Sequence, residues 1–582
     1  MVGQGKRNKE QGVRIKEQGI TSKDQVARSK IFKVLAFTLV LILLNILAQF
    51  VYTRIDFTKE KRFTLTEKTK ETLQKNKNEV IITVFLDGDM PSAFKRLRNA
   101  TKDMLADYKA YSKVNFKVVF IDPISGLTVN EQDTVIQQLY EMGIRPTNIS
   151  IKTDAGFSER MVFPMALIES NGRRMPVKLL QNLGGEASNY DQSINNSIKN
   201  LEYVFTLSLK KVITGYNPRI GFTEGNGEPR DNNLYDAMSA LSDSYVVGRI
   251  NIDSITKQGL DSLKMLVIAK PLKAFTEAQK YKINYFVMKG GHVLWSIDQV
   301  RMELDSLRSG KSFMASNNQL NLDDMLFEYG ARINYDIIAD VNCVEIPIAT
   351  GGPRGDIQMA PWLYYPILLP DTSNSVVKNL DHIKAEFAST VDTIGSRNVS
   401  KRIILSTSPY NKVYTSPKIF NLKMVEQQPT QKEFTNSPKS VGILLEGSFK
   451  SVFLNRPVPV GIKEQFNLPA RSKPAKMIVL GDGDIFCNQV SADGSPFPLG
   501  FDRYTQQNFG NKAFLLNIVD YFTTEDNLIA LRNKEVAVRP LDKTLVRAEK
   551  TKWQLLNTVF PIALLICFAI FQHYYRKHKY AR

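Results

Sequence analysis

The sequence predicts an α/β protein whose folded domains lie between two membrane-spanning helices. Apolar, β-branched runs of strand length alternate with stretches of helical periodicity, a pattern typical of strands joined by crossover helices. Two longer apolar runs, within residues 31–52 and 555–572, lie near the two ends of the chain. The composition is 43% hydrophobic and 23% charged over 582 residues, so we expect most of the chain to fold in water.

The first apolar run predicts an uncleaved membrane anchor at residues 31–52. Residues 34–52 carry no charge and, at about 1.5 Å per helical residue, span roughly the 30 Å hydrocarbon core of a bilayer. A cleaved signal peptide is the alternative, but 33 residues precede the run and no clear A-x-A site follows it. Residues 1–30 are polar and basic, and we expect a disordered tail near anionic lipid.

The second apolar run predicts a membrane helix at residues 555–572, preceded by a juxtamembrane helix at residues 536–554. Trp553 lies before the run, and Tyr574 and Tyr575 follow it, as in the aromatic belts found at membrane interfaces. The segment therefore has both the length and the flanking residues of a span.

Charge distribution predicts the topology and excludes one class of partner. Of the net charge of +19, +6 lies in residues 1–33 and +4 in residues 572–582. The positive-inside rule then places both termini, including the tail 573–582, in the cytoplasm and residues 53–552 outside it. The remaining charge is spread over more than 500 residues, which argues against a nucleic-acid-binding groove.

The first predicted domain, residues 53–210, begins with a β-α-β unit that has a thioredoxin-like appearance. We expect its strands at residues 80–86, 114–121, 149–151, 161–168 and 174–179, and its helices at residues 91–112, 130–142 and 189–209. No cysteine precedes Cys343, so this domain has no C-x-x-C motif and no thiol redox chemistry.

The second predicted domain, residues 211–535, has the alternation of a doubly wound α/β sheet. We expect strands at residues 220–223, 263–269, 292–297, 333–339 and 476–480, and helices at residues 231–241, 277–289, 321–329 and 512–522. Thr276 and Gln279 have the spacing of a capping box, and Gly290 with Gly291 marks the end of that helix. The pattern weakens over residues 342–474, which predicts an insertion or lid.

Several motifs, taken in order, resemble a known family. They are Arg54-x-Asp56-x-Thr58 after the anchor, Glu224-Gly-Asn-Gly-Glu228 after a strand, Pro271 with the helix ending at Gly290-Gly291 and the strand leading to Asp298, Leu405-Ser-Thr-Ser-Pro409, Arg532-Asn-Lys and Arg539-Pro-Leu541. Together they resemble the auxiliary subunit of ABC-2-type transporters, specifically the gliding-motility-associated GldG type. One departure is Asn226, which stands where the family commonly has His; if that His carries chemistry in the family, the same chemistry is in doubt here.

The resemblance extends from Arg54 to Arg576 and implies more than the residue patterns do. It implies an inner-membrane protein of the Bacteroidetes type that works with a separate ABC permease subunit and a cytoplasmic ATPase subunit. It also implies that the second domain has a glutamine-amidotransferase-like fold, so that the expected fold is a thioredoxin-like domain followed by this doubly wound domain, flanked by two transmembrane helices.

Five acidic residues follow predicted strands and are the candidate ligand-binding residues. They are Glu224, Glu228, Asp298, Asp482 and Asp484. The carboxyl ends of strands form the usual ligand crevice of a doubly wound sheet, and two such acids can hold Ca²⁺ or Mg²⁺. The alternative is that they cap the following helices or face water at strand ends. We predict no resident metal or cofactor, and the pattern names no small-molecule ligand.

No arrangement of residues predicts catalysis. An amidotransferase needs a cysteine on a strand-to-helix elbow with a histidine nearby, and Cys343, Cys487 and Cys567 all lack a glycine elbow. A disulfide between Cys343 and Cys487 is an open alternative in an oxidising compartment. The chain also lacks the phosphate-binding loop of ATPases, so it cannot itself power transport.

Three classes of function remain open from the sequence. The first is a non-enzymatic auxiliary subunit of an ABC-2-type transporter, which the resemblance places in bacterial gliding motility. The second is an envelope ligand-binding module, and the third is a membrane-tethered amidotransferase-like hydrolase. For the first class, Asn45 is the residue expected to face a permease helix or the chain's own second span, because a polar side chain inside a bilayer usually faces another helix.

Overall fold

The computed structural model describes residues 36–42, 64–524 and 543–580, with gaps at 154–155, 181–189, 216, 243, 308–311, 350–356, 379, 396–397 and 427–429. The chain divides into two compact units, Met1–Lys534 and Glu535–Arg582. Helices and sheets both contribute to the first unit, so the predicted α/β class is confirmed at the level of a mixed α/β fold.

The described residues form the following regular elements. The helices are α1 Glu67–Lys75, α2 Ser92–Tyr111, α3 Val129–Glu141, α4 Tyr190–Thr214, α5 Asp231–Ser242, α6 Lys257–Ser262, α7 Glu277–Met288, α8 Asp323–Tyr329, α9 Gln431–Phe434, α10 Asn511–Thr523 and α11 Lys543–Tyr580. The strands are β1 Val80–Val84, β2 Phe116–Phe120, β3 Thr147–Thr153, β4 Gly156–Val162, β5 Met165–Ser170, β6 Arg173–Lys178, β7 Arg219–Glu224, β8 Val246–Asn251, β9 Leu263–Ala269, β10 His292–Ser296, β11 Val300–Arg301, β12 Phe313–Asn317, β13 Ala331–Ile333, β14 Asp336–Asp340, β15 Cys343–Ala349, β16 Ile357–Pro370, β17 Ile383–Lys384, β18 Val391–Thr393, β19 Val399–Ser406, β20 Asn411–Thr415, β21 Lys418–Phe420, β22 Ser440–Gly447, β23 Ala475–Leu480, β24 Phe501–Asp502 and β25 Gln507–Asn508.

The N-terminal part of the first unit contains a four-stranded sheet with the order β2-β1-β5-β6. Strands β1 and β2 are parallel and α2 connects them, which confirms the predicted β-α-β unit. Strands β5 and β6 add antiparallel, whereas β3 and β4 form a separate two-stranded ribbon. Helix α4 packs on α2, where the Tyr108 and Thr206 hydroxyls form a 2.6 Å hydrogen bond in the core.

A larger sheet of ten strands forms the centre of the second half, and one part of it is parallel. Strands β8, β7, β9, β10 and β23 lie side by side and all run in the same direction. Numbered by their sequence, these five strands have the order 2-1-3-4-5, which is one of the two common doubly wound orders. The predicted doubly wound pattern therefore describes this half of the sheet.

Helices cover both faces of the parallel strands, which explains their continuous apolar runs. In β9, Met265 and Val267 lie in one core cluster with residues of α5 and α10. Leu266 and Ile268 lie in the opposite cluster with residues of α7 and α8. The predicted capping box of α7 is present, since Gln279 N–H donates to the Thr276 hydroxyl and the Gln279 side chain accepts from Thr276 N–H.

The other part of the large sheet is antiparallel and comes from the segment predicted to be an insertion or lid. Strands β22, β19, β16 and β15 continue the sheet outward from β23, with β17 pairing on β16. Within residues 342–474, these strands therefore belong to the large sheet, whereas β18, β20 and β21 pair in smaller sheets. Their alternation with helices is lost because antiparallel strands can be joined without crossover helices.

The strand expected at residues 333–339 is divided in two in the structure. Residues 333–339 were predicted as one strand, but β13 ends at Ile333 and β14 begins at Asp336. The two strands pair in different small sheets, β13 with β18 and β14 with β20. Asn334, whose backbone N–H donates to the Thr390 carbonyl, lies at the break.

The second unit contains α11, a single helix from Lys543 to Tyr580. Its stretch Glu549–Lys579 has a mean hydropathy of 2.1 over its most apolar window, and none of that window is buried in protein. It is the one helix of the described residues that is long and apolar enough to cross a membrane. Of the first predicted span, residues 36–42 are helical and exposed. Asn45 lies outside the described residues.

Candidate functional site

Three of the five predicted acidic residues meet where the parallel strands end. Asp298 follows β10, and Asp482 and Asp484 follow the neighbouring strand β23. One carboxylate oxygen from each lies within 4.8 Å of the others. Asp482 is fully buried and Asp298 is 7% exposed, so water screens their charges poorly. At an effective dielectric constant of about 20, two unit charges at that separation repel by about 3.5 kcal/mol.

The positive charge among these carboxylates comes from Lys270, which sequence reasoning did not select. Its Nζ lies 2.7 Å from both carboxylate oxygens of Asp484 and 3.7 Å from Asp298 Oδ2. Lys270 directly follows β9 and has a φ of +45°, a left-handed backbone conformation that is uncommon for lysine. The signal was available, because Lys270 follows its strand just as the three acids follow theirs.

Gly483 allows the three strand ends to approach this closely. Asp298 Oδ1 accepts a 2.5 Å hydrogen bond from Gly483 N–H. A Cβ atom at position 483 would lie 2.8 Å from Lys270 Cβ, closer than real Cβ contacts allow, and 3.0 Å from Asp298 Cγ, which is tight. The glycine is therefore required by packing and not by its backbone angle, since its φ is −80°.

Asp482 forms hydrogen bonds that link the distant segment 383–390 to the carboxyl ends of the parallel strands. Its Oδ1 accepts from Asp484 N–H and its Oδ2 from Glu386 N–H, both at 2.6 Å. The Ser296 hydroxyl donates to the Asp482 carbonyl oxygen, also at 2.6 Å. Segment 383–390 is thereby joined to the ends of β10 and β23.

A second buried lysine continues the network of charges. Lys384 Nζ lies 2.9 Å from Glu386 Oε1 and 2.7 Å from Asp502 Oδ2. Lys384 is 7% exposed and Asp502 is 2% exposed. Sequence reasoning missed this group because Lys384 lies on a strand of two residues, too short to produce a periodic pattern.

The carboxyl groups around Lys270 and those around Lys384 have pKa values shifted in opposite directions. Burial raises the pKa of Asp484 to about 7, with Lys270 opposing the rise and Asp298 adding to it. Burial followed by the charges of Asp484 and Asp298 raises the pKa of Asp482 well above its usual range, and burial also raises that of Asp298. Around Lys384 the pKa of Glu386 is lowered, because the ammonium outweighs the cost of burial.

The remaining two predicted acids lie at the end of β7 and have other partners. Glu224 Oε2 lies 3.4 Å from Arg249 Nε, with 44% of its side chain exposed. Glu228 Oε2 accepts from Asn226 N–H at 2.7 Å, which stabilises the turn. Asn226 in turn donates through Nδ2 to Gln279 Oε1 at 3.0 Å, at the start of α7. Glu224 is therefore partly exposed to water at its strand end, and Glu228 bonds the backbone of its own turn.

Cys487 and His292 do not form a catalytic pair. Cys487 lies beyond the carboxyl end of β23, whereas His292 begins β10 at the opposite edge, where its Nδ1 accepts from Lys476 N–H. Burial raises the pKa of the Cys343 thiol to about 12 and that of Cys487 well above its usual range. All three thiols are free, so the alternative of a disulfide between Cys343 and Cys487 is wrong.

The fold and site thus define a class: a mixed α/β protein with a doubly wound core, an exposed apolar helix and a buried charge network at the strand ends. A family model described as an ABC-type uncharacterized transport system matches residues 217–518, more than half of the chain. The chain therefore belongs to this family, the auxiliary proteins of ABC-type transport systems. A second model, described as a domain of unknown function, matches residues 59–169.

Two individual proteins resemble the chain more weakly. A protein of Borreliella burgdorferi, described as an uncharacterized protein, is 22% identical over 502 residues, which cover 84% of this chain and 85% of the relative. The solved structure described as mmIFT52 N-terminal domain matches 53% of this chain and 98% of its own length, at 15% identity and a TM-score of 0.31. That score is too low to carry an argument about fold or function.

Proposed function

We propose that this protein is the membrane-anchored, non-enzymatic auxiliary subunit of an ABC-2-type transporter. The observation that carries the proposal is the combination, in one chain, of the transport-system family domain at residues 217–518 and the exposed apolar helix Glu549–Lys579. More specifically, we propose that it is a subunit of the GldG type, which acts in bacterial gliding motility. In this proposal the N-terminal domain is thioredoxin-like and the second domain is amidotransferase-like. The motif order from Arg54 to Leu541 supports that assignment.

The C-terminal helix supports membrane attachment because its surface suits lipid. Leu565 is 66% exposed, Phe568 60% and Phe571 67%, and no protein covers them. Leaving such side chains in water costs roughly 1.5–3 kcal/mol each relative to burial in an apolar medium. A helix of 31 residues at about 1.5 Å per residue also exceeds the roughly 30 Å core of a bilayer. The proposed topology has two spans in the inner membrane, cytoplasmic termini and a periplasmic domain.

The partners in this proposal are a permease subunit and a cytoplasmic ATPase subunit. Two helices cannot enclose a transport path, and the sequence has no phosphate-binding loop to couple ATP hydrolysis. The conduction path and the energy must therefore come from other subunits. Asn45 is the proposed partner-facing residue of the first span, where a hydrogen bond to another helix is worth only about 0.6–2 kcal/mol.

The absence of enzymatic activity is part of the proposal. Support comes from the separation of Cys487 and His292 at opposite ends of the sheet and from the raised pKa of the Cys487 thiol, which keeps it protonated. The hydrolase alternative needs both groups in one site. The ligand-binding alternative is also less well supported, because the clustered aspartates already pair with Lys270 or with backbone N–H groups.

The test is affinity purification of the full-length chain from its native membrane in a mild detergent. We expect an ABC permease and an ATPase to be recovered in fixed ratio to the chain. Asn45→Leu should reduce that recovery, while Gln49→Leu, nearer the headgroups, should reduce it less. Recovery of neither subunit would overturn the proposal. A complex that survives Asn45→Leu but dissolves on deletion of residues 54–58 would place the contact outside the membrane.

A further inference from the structure

The aspartate cluster, defined here as Asp298, Asp482, Asp484 and Lys270, contains more acidic groups than its cation can neutralise. Three carboxyl groups share one ammonium in a region that is largely closed to water. If all three aspartates were ionised, two negative charges would remain uncompensated in a poorly screened environment. Burying unpaired charge is costly, so such a cluster retains protons at pH values where exposed aspartates lose them.

The cluster also joins four segments that are far apart in the sequence. Lys270 belongs to the end of β9, Asp298 to the end of β10 and Asp484 to the turn after β23. Through the Asp482 carboxylate, the same turn accepts a hydrogen bond from Glu386 in segment 383–390. These segments border the carboxyl edge of the parallel strands, which is where doubly wound sheets bind ligands.

We propose that the aspartate cluster is a proton-linked latch, which holds more protons when the four segments are closed together than when they separate. By linkage, acidification then favours the closed arrangement, and a rise in pH favours opening of the turn at residues 481–487. The inference concerns a property of this chain alone and does not depend on the proposed transporter role.

The charges next to each aspartate either favour or oppose its ionisation. Asp484 faces Lys270, which favours ionisation, and Asp298 and Glu386, which oppose it. Asp298 faces Lys270, Glu386 and Glu303, and Asp482 faces Asp484 and Asp298.

The remaining titratable groups nearby do not neutralise the excess negative charge of the aspartate cluster. Cys487 and Tyr365, which also face Asp484, have raised pKa values and stay neutral at physiological pH. Lys384 is already shared by Glu386 and Asp502, whose pKa values it lowers.

The pH window follows from the pKa values of the closed and open arrangements. In the open arrangement, an exposed aspartate has a pKa of about 4. The pKa of Asp484 in the closed cluster is about 7, and that of Asp482 is well above the usual range. The closed arrangement therefore loses relative stability as the pH rises from about 4 to 7 and beyond, by up to tenfold in the opening equilibrium per pH unit for each proton released.

Hydrogen exchange of the full-length chain in detergent micelles, measured by mass spectrometry between pH 5.5 and 8.5, tests the latch. After correction for the intrinsic exchange rate, protection of peptides covering residues 481–487 should fall as the pH rises. Asp298→Asn should flatten this dependence, because the amide keeps the hydrogen bond from Gly483 N–H but removes one of the three negative charges. Asp484→Asn, which keeps an oxygen for Lys270, is the second variant in case the first disturbs folding.

The matched control is Asp340→Asn, a buried aspartate in β14 that bonds Ser408 and Asn342 away from the cluster. It should leave the pH dependence at residues 481–487 unchanged. Local exchange is preferable to a melting temperature, because burial lowers the pKa of His292 to about 3 and gives global stability an opposite acid dependence. Protection that stays constant or rises with pH in the wild type, or a full wild-type dependence in both cluster variants, would overturn the proposal.

Discussion

Lys270 Nζ lies 2.7 Å from both carboxylate oxygens of Asp484, although the two residues are 214 positions apart in the chain. Strands β9, β10 and β23 are neighbours in the sheet, so residues that follow each strand meet at one edge. The pair is largely buried, with 14% of the lysine side chain and 19% of the aspartate side chain exposed. An ion pair in this setting is sensitive to the loss of either partner.

We first predict that Lys270→Met destabilises the protein at neutral pH. Removing the ammonium leaves buried carboxylates without compensation, a change that typically costs about 3–5 kcal/mol. The loss should shrink as the pH falls towards 4, because the aspartates are then neutral in both variants. Chemical unfolding of the full chain in detergent at several pH values measures this. Lys289→Met, which removes an exposed pair with Asp261, should change stability by no more than about 1 kcal/mol.

The second prediction concerns the close approach at Gly483. Gly483→Ala places a methyl group 2.8 Å from the Lys270 side chain and should cost about 1–3 kcal/mol through overpacking. Gly248→Ala is the control, because nothing lies within 4 Å of a Cβ at that position of β8. Equal unfolding midpoints for the two variants would show that the strand ends are less tightly packed than the distances indicate.

A third prediction addresses the contact between helix α4 of the N-terminal part and helix α10, which packs on the large sheet. The Asp520 carboxylate in α10 accepts hydrogen bonds from the hydroxyls of Tyr203 in α4 and Tyr245 before β8. Tyr203→Phe should cost about 1–3 kcal/mol, because it leaves a buried carboxylate oxygen without that donor. Limited proteolysis between α4 and β7 should accelerate in the variant. Tyr235→Phe, at a side chain that is 58% exposed, is the control and should have no effect.

The fourth prediction is that Cys343 and Cys487 are unreactive in the folded protein and that the protein has no hydrolase activity. Raised pKa values keep Cys343 and Cys487 in the thiol form, so iodoacetamide at pH 7.5 should label them only after unfolding in urea. Purified protein should show no amidase, esterase or glycosidase turnover above a heat-killed control. Robust turnover that Cys487→Ala abolishes would contradict the non-enzymatic proposal.

The fifth prediction is the membrane topology. A cysteine introduced in place of Lys6 should resist a membrane-impermeant thiol reagent in intact spheroplasts, whereas one in place of the exposed Asp493 should react. This follows from the basic clusters at both chain ends, which the positive-inside rule places in the cytoplasm. The reverse labelling pattern would invert the proposed orientation, and labelling of both sites would remove the first span.

Some of the fold could be predicted closely because its signals are local. Strand β9 has the predicted bounds, and the capping box of α7 uses the predicted pair Thr276 and Gln279. These features depend on side chains within a few positions of one another, so a short stretch of sequence contains all the information. The segment 342–474 was interpreted as an insertion or lid because its antiparallel strands gain their stability from pairing partners far away in the chain.

By itself, the sequence determined the α/β class, the apolar C-terminal helix and the set of acids that follow strands. Which of those acids meet was decided only by the tertiary structure. Strand β10 lies beside β23, which brings Asp298 to Asp482 and Asp484, whereas β9 separates β7, and with it Glu224, from β10. Neighbouring strands lie about 4.8 Å apart, so one intervening strand is enough to separate two carboxyl groups. Lys270 and Lys384 entered the site for the same reason, because strand order places charges that local patterns cannot relate.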